Sequence, residues 1–299
     1  LRKNDILLIQ YPYYPISIYK LIYKFIDVIT KIKSAKKIVI IHDLNYLRNL
    51  GEDEKKIKDF VEYKMQTEIQ TLNKFDCIIC HNPIMKEELV KRGVKSEKLF
   101  ELGLFDYIHS EEILVPKYTN KNIKVAVAGN LNKVKSGYLY KINDLKLVNI
   151  GFELYGIGYS DELKKINNVK YNGKYSPEEL PRVMKVNYGL VWDGGSLNEC
   201  DGMMGEYLKY NNPHKASLYL ASGLPIIVWE KSALSRFVKK NGVGVTINSL
   251  FELENKLNNI SEKEYYEMVN NVNDIKVKLV NGEYLKNSIK SSLNYLRSN

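Results

Sequence analysis

Short apolar runs recur along the chain, and amphipathic stretches separate them. "DILLIQ" (5–10), "KIVIIHD" (37–43), "DCIICH" (76–81) and "KLFEL" (98–102) read as strands. Apolar runs without polar alternation belong to a sheet covered on both faces. Residues 16–33 and 53–73 read as amphipathic helices. "NPIMKEELVKRG" (82–93) reads as a helix capped by Asn82, opened by Pro83 and closed by Gly93. Repeated strand–helix–strand units imply a parallel sheet with helices on both sides. Over 103–122 the periodicity fades and Gly, Pro and Asn accumulate, so a linker is expected there. Strands resume at 123–130, 152–158, 169–174, 188–194, 225–230 and 242–247. Helices fill the gaps, as at 176–186 with Ser176 as cap and Pro177 at the first position, and a mostly helical tail starts at Leu250. The expected organisation is an α/β domain at 1–103, a linker at 104–122, a second α/β domain at 123–280, and a helix at 281–299 packing back on the first domain. Such a pair is expected to hold a ligand in a cleft between domains, at the carboxyl ends of the strands.

One stretch concentrates candidate chemistry. In "NNPHKASLYLASGLPIIVWE" (211–230) a helix of about ten residues is expected, with Asn212 capping, Pro213 at the first position and Gly223 just past the end. His214 and Lys215 then stand where unpaired N–H groups already carry partial positive charge. A cation there is unfavourable unless an anion lies between, which suits a phosphate or diphosphate. In the alternative, Lys215 reaches solvent along its methylene stem and His214 packs as an ordinary polar residue.

Polar groups also follow other strands. His42 and Asp43 close "KIVIIHD", either as a general base with its carboxylate or as a hydrogen-bonded pair fixing the next loop. In "GNLNK" (129–133), Gly129 permits close backbone approach and Lys133 can reach an anion, although no G-x-G-x-x-G or Walker pattern is present. Tyr175 follows "VKYNGK" and can stack on a base or pack on its loop. The long loop "VWDGGSLNECDGMMGEYLKYNNPHK" carries Asp193, Asp201 and Glu206. Long irregular loops in compact domains are functional more often than average, but three acids in one loop do not define a magnesium site.

Composition narrows the classes. The 299 residues are 44% hydrophobic and 27% charged, which suits a globular chain of two ordinary domains. There is no apolar run of about 18 residues and no visible signal peptide, so no transmembrane helix is expected. Three cysteines argue against a disulfide framework and for a reducing compartment. Cys77 and Cys80 form C-x-x-C inside a buried strand with no second half-site, so packing rather than metal or redox chemistry is expected. The net charge of +10 is spread along the chain without a nucleic-acid motif. It fits solubility and a polyanionic ligand better than nucleic acid.

"GLVWDGGSLNECDGMMGEYLKYNNPHKASLYLASGLPIIVWEKSAL", with "IIHDLNYLR" upstream and "AGNLNK" between, resembles bacterial GT-B glycosyltransferases, specifically the galactofuranosyltransferases and related Gtf3-type glucosyltransferases. The resemblance implies two Rossmann-like domains facing a cleft, with the family's first β-α unit expected ahead of the strand at 5–10. It implies a UDP-sugar held mostly by the second domain. Gly129, Asn130 and Lys133 would lie at the diphosphate, Tyr175 at the uracil and ribose, and Asp193 and Glu206 in the adjoining loop. Pro213, His214, Lys215, Ala216, Ser217 and Leu218 would form the loop and helix start that hold the nucleotide. His42 and Asp43 would be the catalytic base pair. No metal is expected, because GT-B enzymes offset the charge of UDP with basic groups and helix dipoles. Galactofuranosyl transfer to a glycan or lipid-linked acceptor is expected; the alternatives are a UDP-glucose-type glucosyltransferase of adhesin glycosylation and a non-catalytic nucleotide-sugar-binding subunit. A cytoplasmic, self-associating protein touching the inner membrane face through lysines completes this picture. On the anion-site reading, Lys215→Ala is expected to spare the fold while weakening UDP binding roughly ten- to a hundred-fold.

Overall fold

The computed structural model describes residues 1–12, 19–48, 58–111, 113 and 117–298. The expected helix starts at 16–18 and 53–57 lie outside them. In chain order the first elements are β1 (Ile6–Tyr11), α1 (Tyr19–Ile32), β2 (Lys36–Ile41), α2 (Asn45–Arg48), α3 (Lys58–Leu72), β3 (Cys77–Cys80), α4 (Pro83–Lys91) and β4 (Leu99–Glu101). After them come β5 (Ile123–Asn130), α5 (Lys133–Ser136), β6 (Ile150–Ile157), β7 (Val169–Tyr171), α6 (Leu180–Val183), β8 (Tyr188–Val191), α7 (Gly202–Tyr207) and α8 (His214–Ala221). The chain continues through β9 (Ile226–Trp229), α9 (Leu234–Asn241), β10 (Gly244–Ile247), α10 (Leu253–Asn258), α11 (Glu262–Val280) and α12 (Glu283–Ser298).

Two compact units result. The first comprises Leu1–Gly103 and the chain from Tyr284 onward. Its four strands are parallel, in the order β1-β2-β3-β4. From Lys37 to Ile41 every residue of β2 is buried, as the unbroken apolar run implies. Asn82 caps α4 by accepting the Met85 N–H at 2.9 Å, Pro83 follows it, and Gly93 takes φ +94° just beyond the end. Helix α12 belongs here: the Ser288 hydroxyl donates to the Glu101 carbonyl at 2.7 Å, and the Tyr295 ring meets Phe100. The Cys77 thiol lies 3.6 Å from the Ser292 carbonyl. All three cysteines are free and buried, and burial pushes the thiols of Cys77 and Cys80 up to about 11 and about 12. Neither forms a thiolate near neutrality, in keeping with a packing role.

The second unit, Leu104–Glu283, has six parallel strands in the order β10-β9-β8-β5-β6-β7. Strand order reverses between β5 and β8, the place at whose carboxyl ends parallel α/β sheets generally take ligands. Two sequence expectations need correction here. The described residues of 104–122 belong to this unit rather than to a linker, because apolar and aromatic side chains among them pack on it. Leu104 and Phe105 are buried, a His109 ring nitrogen lies 3.0 Å from the Ala221 carbonyl, and the Tyr118 hydroxyl donates to the Ile260 carbonyl at 2.9 Å. The helix expected at 176–186 contracts to α6. Ser176 and Glu179 do exchange reciprocal hydrogen bonds, at 2.9 and 3.3 Å, but Pro181 has no N–H to donate to the carbonyl of Pro177, and the helix starts only at Leu180 with Glu179 at its cap position.

Helix α8 lies directly on the sheet. The Tyr219 hydroxyl accepts the Ala128 N–H of β5 at 2.7 Å, and its ring covers Gly189 of β8, where a Cβ would fall 2.1 Å from Tyr219 Cγ. Gly189→Ala is therefore expected to overpack this contact and destabilise the chain by about 1–3 kcal/mol. Urea unfolding monitored by circular dichroism should show a lower midpoint with unchanged slope; a parental midpoint would refute the contact.

Candidate active site

Two loops meet at the strand-order reversal in the second unit. Near the end of β5, Gly129 takes φ +118° beside Gly156, where a Cβ would lie 1.8 Å from the Gly129 oxygen. The Asn130 carbonyl accepts the Ser136 hydroxyl at 2.9 Å, and Asn132 caps α5 by accepting the Lys135 N–H at 3.0 Å. Lys133 opens α5 with its ammonium 5.0 Å from the Tyr140 ring centroid and 2.6 Å from Glu162. Both partners of that ion pair are more than half exposed, which leaves Lys133 free to exchange partners at little cost. After β8, Gly194 donates to the Lys135 carbonyl at 2.8 Å and accepts from the Tyr138 N–H at 3.1 Å. A Cβ on Gly137 would stand 3.0 Å from the Gly195 Cα. The two loops are thus joined through their backbones. Asp201 closes the second loop by accepting the N–H groups of Gly195 and Ser196.

The start of α8 completes the site. Pro213 is the residue before the helix, with ψ 142°, and His214 is its first member, so the expected placement of Asn212 as cap shifts by one residue. The Pro213 carbonyl accepts the Ala216 N–H at 2.9 Å, and Gly223 takes φ +72° beyond the end, as expected. The His214 ring stacks on Phe105 with centroids 4.2 Å apart. Lys215 neither reaches solvent nor awaits an external anion alone. Its ammonium donates to the Trp192 carbonyl at 3.0 Å and to Asp193 Oδ1 at 2.6 Å, with the two side chains 9% and 5% exposed. The cation that opposes the helix dipole is offset by a carboxylate from the loop after β8. An ammonium has three N–H donors, and these contacts use two. Ala216, Ser217 and Leu218 are buried, and among the described residues the Ser217 hydroxyl and Asn211 Oδ1 have no hydrogen-bond partner.

In the first unit, His42 follows β2 and its N–H donates to the Tyr11 carbonyl at 2.7 Å. Burial holds the imidazole below its ordinary value of 6.5, while the Asp43 charge pulls it partly back. The Asp43 carboxylate is engaged by the Arg48 guanidinium at 3.0 Å, so it fixes the turn into α2 as well as standing beside the imidazole.

Comparison with known proteins decides the family. The glucosyltransferase 3-like N-terminal domain matches residues 1–104 and the corresponding C-terminal domain matches residues 125–292. The chain belongs to the glucosyltransferase 3-like family. A beta-1,6-galactofuranosyltransferase, WbbI of Escherichia coli K12, is 28% identical over 301 residues, covering 100% of this chain and 82% of the relative. Glucosyltransferase 3 of Streptococcus gordonii is 27% identical over 259 residues, covering 86% and 70%. Among solved structures, a sucrose-phosphate synthase from Thermosynechococcus elongatus superposes with TM-score 0.64 at 15% identity, over 98% of this chain and 74% of that one. The lipopolysaccharide outer core galactosyltransferase WaaB superposes with TM-score 0.56 at 12% identity, over 97% and 99%. The fold is GT-B, and the members and neighbours of this glucosyltransferase 3-like chain are glycosyltransferases.

The structure brings only some of the expected residues of this glucosyltransferase 3-like protein into contact. Lys215 and Asp193 touch, and the Gly129–Lys133 segment joins their loop through Lys135 and Tyr138. Tyr175 lies past β7 with its ring 6.3 Å from Tyr155. Glu206, on α7, is held by Lys209 at 2.6 Å. Asp201 and the Gly137–Gly195 contact were not singled out from sequence for the work they do; their signal was glycine pairs flanking an acid in one loop. Among the described residues, no group of three His, Cys, Asp or Glu side chains is placed to hold a metal ion.

The ion pair revises the expected effect of Lys215→Ala. Removing one partner strands a buried carboxylate, so a loss of about 3–5 kcal/mol is expected rather than a spared fold. The double change Lys215→Met with Asp193→Asn should recover most of that stability in denaturant titration. Equal stability of Lys215→Ala and the parent would contradict the pairing.

Proposed function

We propose that this chain transfers a hexosyl group, galactofuranosyl before any other, from a UDP-sugar to a hydroxyl of a glycan or lipid-linked acceptor in surface polysaccharide or glycoprotein glycan synthesis. One observation carries the reading: at the strand-order reversal, the start of an eight-residue helix, a lysine held in place with one N–H to spare, and a buried unpartnered hydroxyl, Ser217, lie on neighbouring backbone. A diphosphate satisfies all three, since helix N–H groups, an ammonium and a hydroxyl donate to its oxygens. Lys133 adds a mobile cation from the joined loop, and Tyr175 offers a ring for the uracil. The same donors stabilise the charge that develops on UDP as the glycosidic bond breaks. This arrangement calls for no metal. The similarity to WbbI along the whole of this chain supports the furanose donor; the streptococcal relative supports a second reading, transfer of glucose from UDP-glucose. A subunit that binds nucleotide sugar without turnover is the third.

His42 is the proposed base for the acceptor hydroxyl. Its lowered pKa keeps the imidazole neutral, the form that accepts a proton, through neutral pH. The protein is proposed to act in the cytoplasm, to self-associate, and to meet lipid-linked acceptors at the membrane face without binding nucleic acid; no described helix is long and apolar enough to cross a membrane.

A donor screen tests the proposal by following UDP release from UDP-galactofuranose, UDP-glucose and UDP-galactopyranose, with and without glycan acceptors. Acceptor-stimulated release from UDP-galactofuranose is expected. UDP binding without release from any donor would replace transfer by the binding-subunit reading. For the active donor, kcat/KM should fall as pH drops through an apparent pKa below 6.5, because the imidazolium cannot accept a proton. His42→Gln should lower turnover about 10²–10⁴-fold and leave UDP affinity, measured by calorimetry, as in the parent. A rate that is flat down to pH 5 or insensitive to His42→Gln would remove His42 from the reaction.

A further inference from the structure

The segment carrying His42 and Asp43 is tied at both ends. At its start is the bond from the His42 N–H to the Tyr11 carbonyl, at 2.7 Å. At its far end is Glu68 of α3, a carboxylate only 3% exposed. Glu68 Oε1 accepts the Tyr11 hydroxyl at 2.8 Å and both the backbone N–H and the side-chain amide of Asn45 at 3.1 Å. Its Oε2 accepts the Tyr46 N–H at 2.8 Å. Asn45 and Tyr46 are the first residues of α2, so a carboxylate from another helix serves their orphan N–H groups in place of a local cap. Tyr11, at the end of β1, is bound twice: its carbonyl receives the His42 N–H and its hydroxyl reaches Glu68.

This arrangement exceeds what packing requires. A buried carboxylate surrounded by neutral donors is costly compared with an apolar residue of the same volume, and four donors converging on its two oxygens hold the segments that carry them in one geometry. Burial raises the carboxyl above its ordinary value, while Tyr46, Tyr11 and Asn45 oppose that rise by donating to the ionised form. The geometry fixed here is the backbone between His42 and Tyr46.

We infer that Glu68 is the positioning residue for the His42–Asp43 segment, holding the start of α2 so that the imidazole keeps a single place at the carboxyl end of β2. Its value to catalysis rests on the glycosyl-transfer reading; its effect on the segment does not.

The test therefore reads the segment first and turnover second, in the full chain. The chain has four histidines, and His42→Gln assigns the His42 ring signal in an NMR titration. Among the described residues, Asp43, itself paired with Arg48, is the charge that acts on that ring, and Glu68 lies at the other end of the segment. Glu68→Gln preserves volume but turns an N–H toward groups that are all donors. The His42 titration should move up toward 6.5 as the ring gains water, and the amides of Asn45 and Tyr46 should exchange with solvent at least about tenfold faster. UDP affinity should match the parent. With whichever UDP-sugar the parent turns over, kcat should fall at least about tenfold while donor KM stays within about twofold. Tyr11→Phe removes one donor at little risk to folding and should shift the same signals in the same direction by less. Unchanged His42 titration and amide exchange in folded Glu68→Gln overturn the inference, and so does their constancy in Tyr11→Phe should the glutamine variant not fold. If the segment loosens as expected but no UDP-sugar is turned over by the parent, the positioning stands and the transfer reading falls instead.

Discussion

Lys215 and Asp193 form the contact on which the second unit's site is assembled. The pair joins the first turn of α8 to the loop leaving β8, and the Trp192 carbonyl takes a further N–H of the same ammonium. A charge pair this deeply buried is only tolerable when its geometry is close to ideal, and that requirement passes to everything attached. Trp192 is fully buried and its indole N–H is tied to the Ser196 carbonyl. Gly194 is stitched to Lys135 and Tyr138, and α8 is fastened to β5 through Tyr219. Three segments far apart in sequence therefore share one rigid frame. Their donors are in place before any ligand arrives, which limits the reorganisation that binding would demand.

The first unit uses the opposite kind of carboxylate. Asp193 sits against a cation, whereas Glu68 sits among neutral hydroxyl and N–H donors. Both occupy the same topological position, the carboxyl ends of parallel strands, where backbone leaves the sheet and its groups need partners. Each unit thus relies on one buried acid to settle the loops that carry its polar chemistry.

Much of the architecture was legible from local pattern. The runs in β2 and β3 had no polar alternation because helices cover both faces, and the ends of α4 announced themselves through Asn82, Pro83 and Gly93. The helix start near Pro213 and its end at Gly223 were legible, since those signals lie within a few residues of the helix itself. What satisfies Lys215 was not legible, because Asp193 is a partner only once β8 and α8 are folded against each other. The same limit hid the true place of residues 104–122. Their turn-rich composition reads as a linker, and only the second unit's surface shows that Phe105, His109 and Tyr118 have sites waiting. At 176–186 Ser176 and Glu179 do bond to each other, but residues 177–179 stay a turn and the helix starts only at Leu180, since Pro181 has no N–H to give the preceding turn.

Helix α12 gives the chain an unusual order of completion. The strands of the first unit precede the second unit in the chain, yet one wall of the first unit, where Ser288 and Ser292 meet Glu101 and Cys77, is supplied by residues that follow the entire second unit. The second unit is in effect spliced into the first between β4 and α12, and two covalent crossings connect them instead of one. During synthesis the first unit's sheet leaves the ribosome early with Cys77 and Phe100 still uncovered, while the second unit can close on itself as it emerges. The last sixteen or so residues then seal the part that was made first, so a ribosome that stops short of α12 releases a chain whose second unit is whole and whose first unit is open.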